Sequence, residues 1–516
     1  MSTLKCHEEI ERLFEIKYNS GIQRLGKLFS TGQNIYYYDT GTGKVLQLDD
    51  DAFKIMQSLF ELPDVNTVDE LMRVQGMSIS AINVFCQTVV DEHLFRAFKP
   101  DRLYTPGHNE LLEDQVNNEL SQVILELTGR CNLRCGYCIY NEECDLNRDF
   151  NNSDMSLEIA KASIDYAAKH SGEKIAVTFY GGEPLLKFDL LKWAVEYSLK
   201  TLNGKKITFS LTTNLTLVTK EIADYLAIVP GMGVVCSLDG PEYVQNLYRK
   251  YANGEGSFSR AIRGLKLMSD SFSKSENALS INAVFAPPYS HDKLNDINSF
   301  FAGLDFLPPN VDINIGYVAE GSLPNAEIKL KNKHNVSPQV MDPLWSWLEE
   351  RALIRPVIRD DINDISSSGI ESSLISIEKR YLTDTPGEFY PFNGCCTPGA
   401  RRLYITTNGE LYVCERVGAS PSIGNIVEGI DFDRLKKYYV EDYSEGSIEQ
   451  CQDCWAIRLC SVCYAHNYTE IGFDSYEKNR KCNLRRSVHL KDLTLYHIVR
   501  ENSPEKLGFL EHTEIY

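Results

Sequence analysis

The 516-residue sequence has no hydrophobic run long enough to cross a bilayer. Its longest apolar stretch, Leu226 to Cys236, is interrupted by Pro230, Gly231 and Gly233. The first residues, MSTLKCHEEIERLF, put charges where a secretory signal needs an apolar core. Both absences predict a cytoplasmic protein with no membrane contact. Positive charge is scarce as well: 53 Lys and Arg face 72 Asp and Glu, a net charge of −19. That balance argues against a nucleic-acid partner, whose phosphates need a basic face, and leaves room for a basic peptide or a cationic small molecule. Internal repeats and low-complexity tracts are missing too. With 43% hydrophobic and 24% charged residues, the chain is neither disordered nor collagen-like.

What the sequence does have is cysteine, 15 in all. In a reducing compartment clustered cysteines bind metal or do redox chemistry more often than they form structural disulfides. Cys6, Cys86, Cys144 and Cys236 are scattered and read as small buried hydrophobes. The other eleven cluster: Cys131, Cys135 and Cys138 as C-x3-C-x2-C, then Cys395, Cys396 and Cys414, then Cys451, Cys454, Cys460 and Cys463, and last Cys482. Eleven does not divide into the closed sets of four that zinc prefers. It suits three iron–sulfur clusters, one of which keeps an iron open.

From Ser121 to about Glu320 strands and helices alternate. Strand-like runs occupy Val123–Leu127, Ile175–Tyr180, Ile207–Thr212, Gly233–Leu238, Leu279–Phe285 and Val311–Val318. Helical patterns fill Leu157–Lys169, Leu190–Thr201, Thr219–Ile228, Phe258–Ser269 and Lys293–Phe301. This predicts an α/β fold with a parallel sheet, barrel-like or doubly wound. The three-cysteine loop follows the first strand, and Tyr180-Gly-Gly-Glu-Pro184 follows the second. Thr213-Asn214 follows the third, and Ser237-Leu-Asp239-Gly-Pro241 closes the fourth. All lie at C-terminal strand ends, where a (β/α) barrel builds its active site.

The first hundred residues predict a small winged-helix-like module. Its hairpin is Ile35–Tyr38 and Lys44–Leu48 around Asp39-Thr-Gly-Thr-Gly43, and its helices are Asp50–Glu61, Val68–Val74 and Ile79–Leu94. Lys99–Glu119 reads as a polar linker, Met341–Leu353 as a helix, Ser366–Gly369 as a loop and His489–Arg500 as a terminal helix. The expected domains are 1–105, 106–320, a bridging region 321–390, and 391–516.

The motif C-N-L-R-C-G-Y-C at Cys131–Cys138 resembles the signature of the radical S-adenosylmethionine (SAM) enzymes. The resemblance implies a partial (β/α)6 barrel and a 4Fe–4S cluster held by Cys131, Cys135 and Cys138. The open iron takes the amino and carboxylate groups of SAM, and electron transfer releases a 5′-deoxyadenosyl radical. Tyr137 is the aromatic before the third cysteine. Gly181-Gly182-Glu183-Pro184 resembles the family's GGE element: the glycines would let the backbone approach the methionyl group, and Glu183 would receive its ammonium. Asn214, Ser237 and Asp239 match ribose-contacting positions, and Arg249 matches an arginine directed at the SAM carboxylate. The family usually shows Asn-Gly where this chain has Asn214-Leu215. No side chain stands out as a general base; Tyr180 and Glu183 are expected to shape the SAM site.

The C-terminal cysteines resemble the SPASM extension of that superfamily, with Cys463 one residue early. By that likeness Cys451, Cys454, Cys460 and Cys482 hold one auxiliary 4Fe–4S cluster, and Cys396, Cys414 and Cys463 hold another. Cys395 supplies its fourth ligand, or that iron is open to a substrate thiolate. The N-terminal module resembles the RiPP recognition element, which binds a leader peptide along a hairpin edge. Together these imply a sactipeptide-type maturase that forms cysteine thioethers in a ribosomally made precursor, fed by a flavodoxin- or ferredoxin-type electron donor. Carbon–carbon crosslinking, epimerisation, sulfatase maturation and RNA modification remain as alternatives within the superfamily, and a zinc-ribbon scaffold outside it.

Overall fold

A computed structural model describes residues 3–19, 21–140, 150–308, 311–318, 322–323, 342–354, 364–465 and 467–513. Its centre is a sheet of six parallel strands. These are β4 (Gln122–Thr128), β5 (Lys174–Gly181), β6 (Lys206–Thr213), β7 (Met232–Ser237), β8 (Ala278–Phe285) and β9 (Asp312–Tyr317), side by side in chain order. Val123, Leu125, Val177, Phe179, Leu211 and Ile281 of these strands enter the core. Helices return the chain between strands, as right-handed β-α-β connections require. Each helix buries one stripe. Phe258–Phe272, for example, turns Ala261, Gly264, Leu265, Met268 and Phe272 inward. Side-chain caps set the helix starts: Ser156 accepts from the Ile159 amide, Thr219 from Ile222 and Ser290 from Lys293.

Two short strands extend the sheet beyond the expected six. β10 (Leu403–Ile405) pairs in parallel with β4, and β11 (Leu411–Tyr412) pairs antiparallel with β10. The C-terminal region is therefore joined to the edge of the sheet by a backbone ladder. Three local expectations need correction. Lys99–Glu119 is no loose linker: it contains a helix at Leu112–Asn118, and Leu103, Leu112 and Val116 are fully buried. Ser366–Gly369 is not a loop but opens a helix, Ser366–Glu378, at whose start Asp364 accepts from the Ser366 amide at 2.8 Å and whose Ile370, Leu374 and Ile377 are buried. The terminal helix begins much earlier, at Ser475, where Asp474 caps the Glu477 amide, and runs to Asn502.

The N-terminal module has one more strand and one more helix than the hairpin reading supplies. β1 (Gly26–Ser30), β2 (Ile35–Asp39) and β3 (Val45–Leu48) form an antiparallel sheet in that order. Helices Thr3–Tyr18, Asp50–Phe60, Val68–Gln75 and Ile79–Asp91 surround a separate core containing Leu13, Phe14, Tyr37, Ile55, Leu59, Phe85 and Phe95. The module is strapped to the rest of the chain. The Glu501 carboxylate accepts from Tyr36 at 2.7 Å, Asn34 at 2.8 Å and Thr31 at 2.9 Å. Arg458 donates to the carbonyls of Thr40 and Gly41 in the hairpin turn. His497, on the long C-terminal helix, packs its ring 4.6 Å from Tyr36 and 5.3 Å from Phe29.

That last contact has a pH consequence. Burial pushes His497 down to about 4. The unfolded imidazole takes its proton near 6.5, so the folded state forgoes protonation the unfolded state gains. This contribution is complete above pH 6.5 and is lost as pH falls toward 4. At pH 5 the cost is roughly 2 kcal/mol. Melting curves at pH 7.5 and 5.0 are expected to show a smaller acid-induced drop for His497→Gln than for the unaltered chain; parallel drops would contradict it.

Candidate active site

The cysteine loop leaves the C-terminal end of β4. The β4–β5 ladder slips between Glu126 and Thr128, so that Thr128 pairs with Gly181, and the chain then turns into Cys131. Asp154 holds this turn from outside. It accepts from Thr128 Oγ1 at 2.6 Å and takes Arg130 through two nitrogens at 2.9 and 2.6 Å. The far side of the loop is strapped to the segment after helix Glu242–Tyr248: the Arg134 amide donates to Lys250 O and the Gly136 amide to Tyr248 O. The thiols of Cys131, Cys135 and Cys138 lie within electrostatic reach of one another in sequence, 131 with 135 and 135 with 138. Burial pushes Cys131 and Cys135 up to about 12 as free thiols, so a metal must displace their protons to bind.

The GGE turn lies directly on that loop. The Gly182 amide donates to Thr128 O and the Glu183 amide to Arg130 O, at 2.8 and 2.9 Å. A Cβ on Gly181, which has φ +129°, would meet Thr128 O at 2.2 Å, and one on Gly182 would meet Arg130 O at 2.1 Å. Loop-on-loop packing thus requires glycine at both positions. Gly182→Ala is expected to push the cysteine loop outward, cost about 1–3 kcal/mol and lower iron uptake at Cys131–Cys138. Unchanged melting temperature and iron content would contradict this.

Glu183 is 1% exposed. Its carboxylate accepts from Thr213 Oγ1 at 2.8 Å, the Asn214 amide at 2.8 Å and the Leu185 amide at 3.1 Å, which ties β5 to β6. Burial pushes its pKa up to about 7, against those three hydrogen bonds. A carboxylate has about four acceptor positions, and these hydrogen bonds occupy three of them on Glu183. Asn214 donates to Asn132 Oδ1 at 2.9 Å and points Nδ2 at Cys131 Sγ, 3.8 Å away. Leu215 takes the left-handed φ of +67° that the family's glycine would supply. The helix Phe258–Phe272 fixes it there, since a Cβ on Gly264 would meet Leu215 O at 2.2 Å.

Tyr137, Asp239 and Arg249 form one buried network. The Tyr137 hydroxyl donates to Asp239 Oδ2. Arg249 Nε donates to Asp239 Oδ1 at 3.1 Å, and the Val284 amide donates to the same oxygen at 3.0 Å. The Arg249 guanidinium also stands 5.5 Å from the Tyr137 ring centre and faces Cys135. Asp239 and its neighbours raise the Arg249 pKa well above the ordinary value, against the burial that would lower it. Ser237 ends β7, buried, in register with Asn282. Sequence reasoning placed Thr213 at the strand end without a role and gave none to Asp154 or Asn132. Their roles come from where the loops meet, which no spacing encodes.

Cys451, Cys454, Cys460 and Cys482 line one cavity with Asn393, Arg485, Arg486 and His489. Two cations face these sulfurs: Lys478 Nζ lies 3.3 Å from Cys451 Sγ, and Arg486 Nη1 lies 3.8 Å from Cys454 Sγ. They offset part of the negative charge four thiolates would carry. The adjacent pair Cys395 and Cys396 divides. Cys395 is beside Tyr443 and within reach of Cys463 and Cys460, whereas Cys396 shares Arg402 with Cys414. Among the described residues no three ligating side chains converge on a single-ion site. In a cubane each thiolate binds its own iron, so the sulfurs surround the cluster instead of meeting at a point. Cys86 and Cys236 are buried in the two cores, as expected; Cys144 and the side chain of Cys6 lie outside the described residues. Among the described residues no helix is long and apolar enough to cross a membrane.

Residues 125–301, from β4 to the end of the helix before β9, match the Radical SAM superfamily. The chain carries a radical SAM domain. An uncharacterized protein of Methanocaldococcus jannaschii is 34% identical over 149 residues; the match covers 29% of this chain, which spans 49% of that relative's length. A serine-type anaerobic sulfatase-maturating enzyme of Bacteroides thetaiotaomicron is 24% identical over 354 residues, covering 64% of this chain and 79% of that one. Native anSMEcpe, solved with bound AdoMet and Cp18Cys peptide, superposes at a TM-score of 0.52 with 20% identity, over 77% of this chain and 100% of its own. The radical SAM domain thus shares its fold with that structure and accounts for the cysteine loop, the GGE turn and the parallel strands beneath them.

Proposed function

We propose that this protein is a radical SAM peptide maturase that installs cysteine sulfur-to-carbon thioether crosslinks in a ribosomally made precursor. SAM on a 4Fe–4S cluster supplies, when bound, a radical able to take hydrogen from an unactivated carbon. The chain's part is to hold and orient. Cys131, Cys135 and Cys138 would ligate the cluster. Glu183 would offer its remaining acceptor position to the SAM ammonium, while Thr213 and Asn214 keep its carboxylate in place. Asn214, Ser237 and Asp239 would face the ribose, and Arg249 the SAM carboxylate, with Tyr137 and Asp239 fixing the guanidinium. Cys451, Cys454, Cys460 and Cys482 would hold one auxiliary cluster, and Cys396, Cys414 and Cys463, with Cys395 at hand, the other. An external flavodoxin- or ferredoxin-type donor would supply electrons.

The observation that carries the peptide assignment is the N-terminal sheet. β3 pairs with β2 on one side, and among the described residues no strand pairs with its other edge. An extended leader adding there would gain backbone hydrogen bonds, with residues 1–105 as the recognition domain. Sulfatase maturation is the second reading, favoured by the Bacteroides relative. Against it stands the N-terminal sheet with its β3 edge, unpaired among the described residues, which sulfatase maturation gives no use.

The test is an anaerobic incubation of iron-reconstituted protein with SAM, a strong reductant and a cysteine-containing precursor encoded beside it, read by mass spectrometry. Loss of two hydrogens per crosslink, with fragmentation placing the link on sulfur, is the expected result. A carbon–carbon link, or an unchanged mass with an inverted centre, would refute the thioether assignment; formylglycine in a sulfatase peptide would establish the second reading.

A further inference from the structure

The chain's charge is unevenly spread. Residues 475–486 carry five cations, Lys478, Arg480, Lys481, Arg485 and Arg486, against the one carboxylate of Glu477, in a protein whose net charge is −19. These residues open the long C-terminal helix and flank Cys482. Lys478 is buried against Cys451, but Arg480 and Arg485 are exposed and Lys481 and Arg486 half-exposed. Glu477 is already engaged by Arg480 at 2.9 Å. Neighbouring helix Asp442–Cys451 carries exposed Glu445 and Glu449, which confines the positive surface to a stripe.

A groove of about 530 Å³ runs along that stripe, lined by Gln450, Tyr476, Asn479, Arg480, Asn483 and Arg486. Gln450 and Arg486 also line the cavity of Cys451, Cys454, Cys460 and Cys482. The groove and the four cysteines are therefore separated by single side chains, and Arg486 reaches from one to Cys454 Sγ in the other. Tyr476 (74% exposed) and Leu484 (55% exposed) give the stripe apolar contact points. A small, partly apolar patch ringed by charge suits a transient redox partner, whose interfaces are small and whose arrival is steered electrostatically.

We propose that this groove is the docking surface of an acidic one-electron carrier protein, which exchanges electrons with an auxiliary cluster held by the four cysteines. The proposal rests on the cluster assignment above. One electron leaves the carrier's reduced flavin, which becomes the semiquinone, and reduces the cluster by one unit; no bond to the protein forms or breaks. The geometry favours this surface because the electron crosses only the wall shared by groove and cavity.

The test uses the full-length, iron-loaded protein and a reduced flavodoxin, with dithionite as a small, non-docking reductant. Asn479→Glu with Arg480→Glu changes the groove's charge by three units and leaves the cysteines and their facing cations untouched. The variant is expected to slow flavodoxin oxidation about 10-fold at low salt, the size of an electrostatic steering effect. The difference should shrink as salt rises, while the dithionite rate stays unchanged. Arg480→Ala is expected to give a smaller loss in the same direction. An unchanged flavodoxin rate would overturn the docking site, and so would equal slowing by both reductants, which would mean the cluster itself was disturbed. Absence of iron in the unaltered protein would instead remove the cluster assignment, and the docking proposal with it.

Discussion

Replacing Cys131, Cys135 and Cys138 together by alanine is expected to abolish reductive cleavage of SAM and to remove about a third of the bound iron, if each of three sites holds one 4Fe–4S cluster. The expectation follows from separation in the fold. The three cysteines lie on the loop after β4, whereas the cysteines of the second set line a cavity formed by helix Asp442–Cys451 and the long C-terminal helix. The two sets stand on different elements, so loss of one is expected to leave the other. Iron analysis and quantified 5′-deoxyadenosine check both halves. Cleavage that survives the triple substitution would put the chemistry elsewhere, and complete iron loss would mean that the sites assemble as one unit.

Asp239→Asn is expected to be the most damaging single substitution near the site. Asp239 is 1% exposed and is the carboxylate partner of a buried arginine, so neutralising it strands the Arg249 charge. Breaking one side of such a pair costs about 3–5 kcal/mol, whereas replacing both sides by groups of similar size is often nearly neutral. A strong fall in melting temperature is thus expected for Asp239→Asn and substantial recovery for Asp239→Asn with Arg249→Met. SAM affinity, measured by equilibrium dialysis, should be weak in both, because the single variant loses the carboxylate that fixes the guanidinium and the double variant loses the guanidinium itself. Recovery of stability together with full SAM affinity would show that the pair is structural only. A stable single variant would contradict the pairing.

The parallel sheet and its helices were legible because each strand and helix announces itself through its own apolar period, and the motifs sit at strand ends. The predicted six strands and five barrel helices all appear, within a few residues of their expected limits. Leu215 shows how far the family pattern reaches: a leucine stands where glycine is usual, yet the turn keeps its left-handed backbone because helix Phe258–Phe272 packs on it. What the sequence hid was contact between distant segments. Nothing in Gly181-Gly182 reveals that their missing side chains make room for Thr128 and Arg130. Nothing in the signature shows that Arg249 spends its guanidinium on Asp239. β1 was missed because Gly26-Lys-Leu-Phe-Ser30 is short and begins with glycine, and it gains its place only by pairing with β2. The helix at Ser366 was missed because three serines and a glycine look like a loop until Asp364 accepts from the Ser366 amide and Gly369 packs close to Leu348.

The most direct measurement is the anaerobic turnover of SAM by purified, iron-reconstituted protein under a strong reductant, with metal content determined on the same sample. The account predicts a brown, iron-containing protein that yields 5′-deoxyadenosine and methionine in equal amounts. A colourless protein that takes up zinc, with SAM left intact, would contradict it.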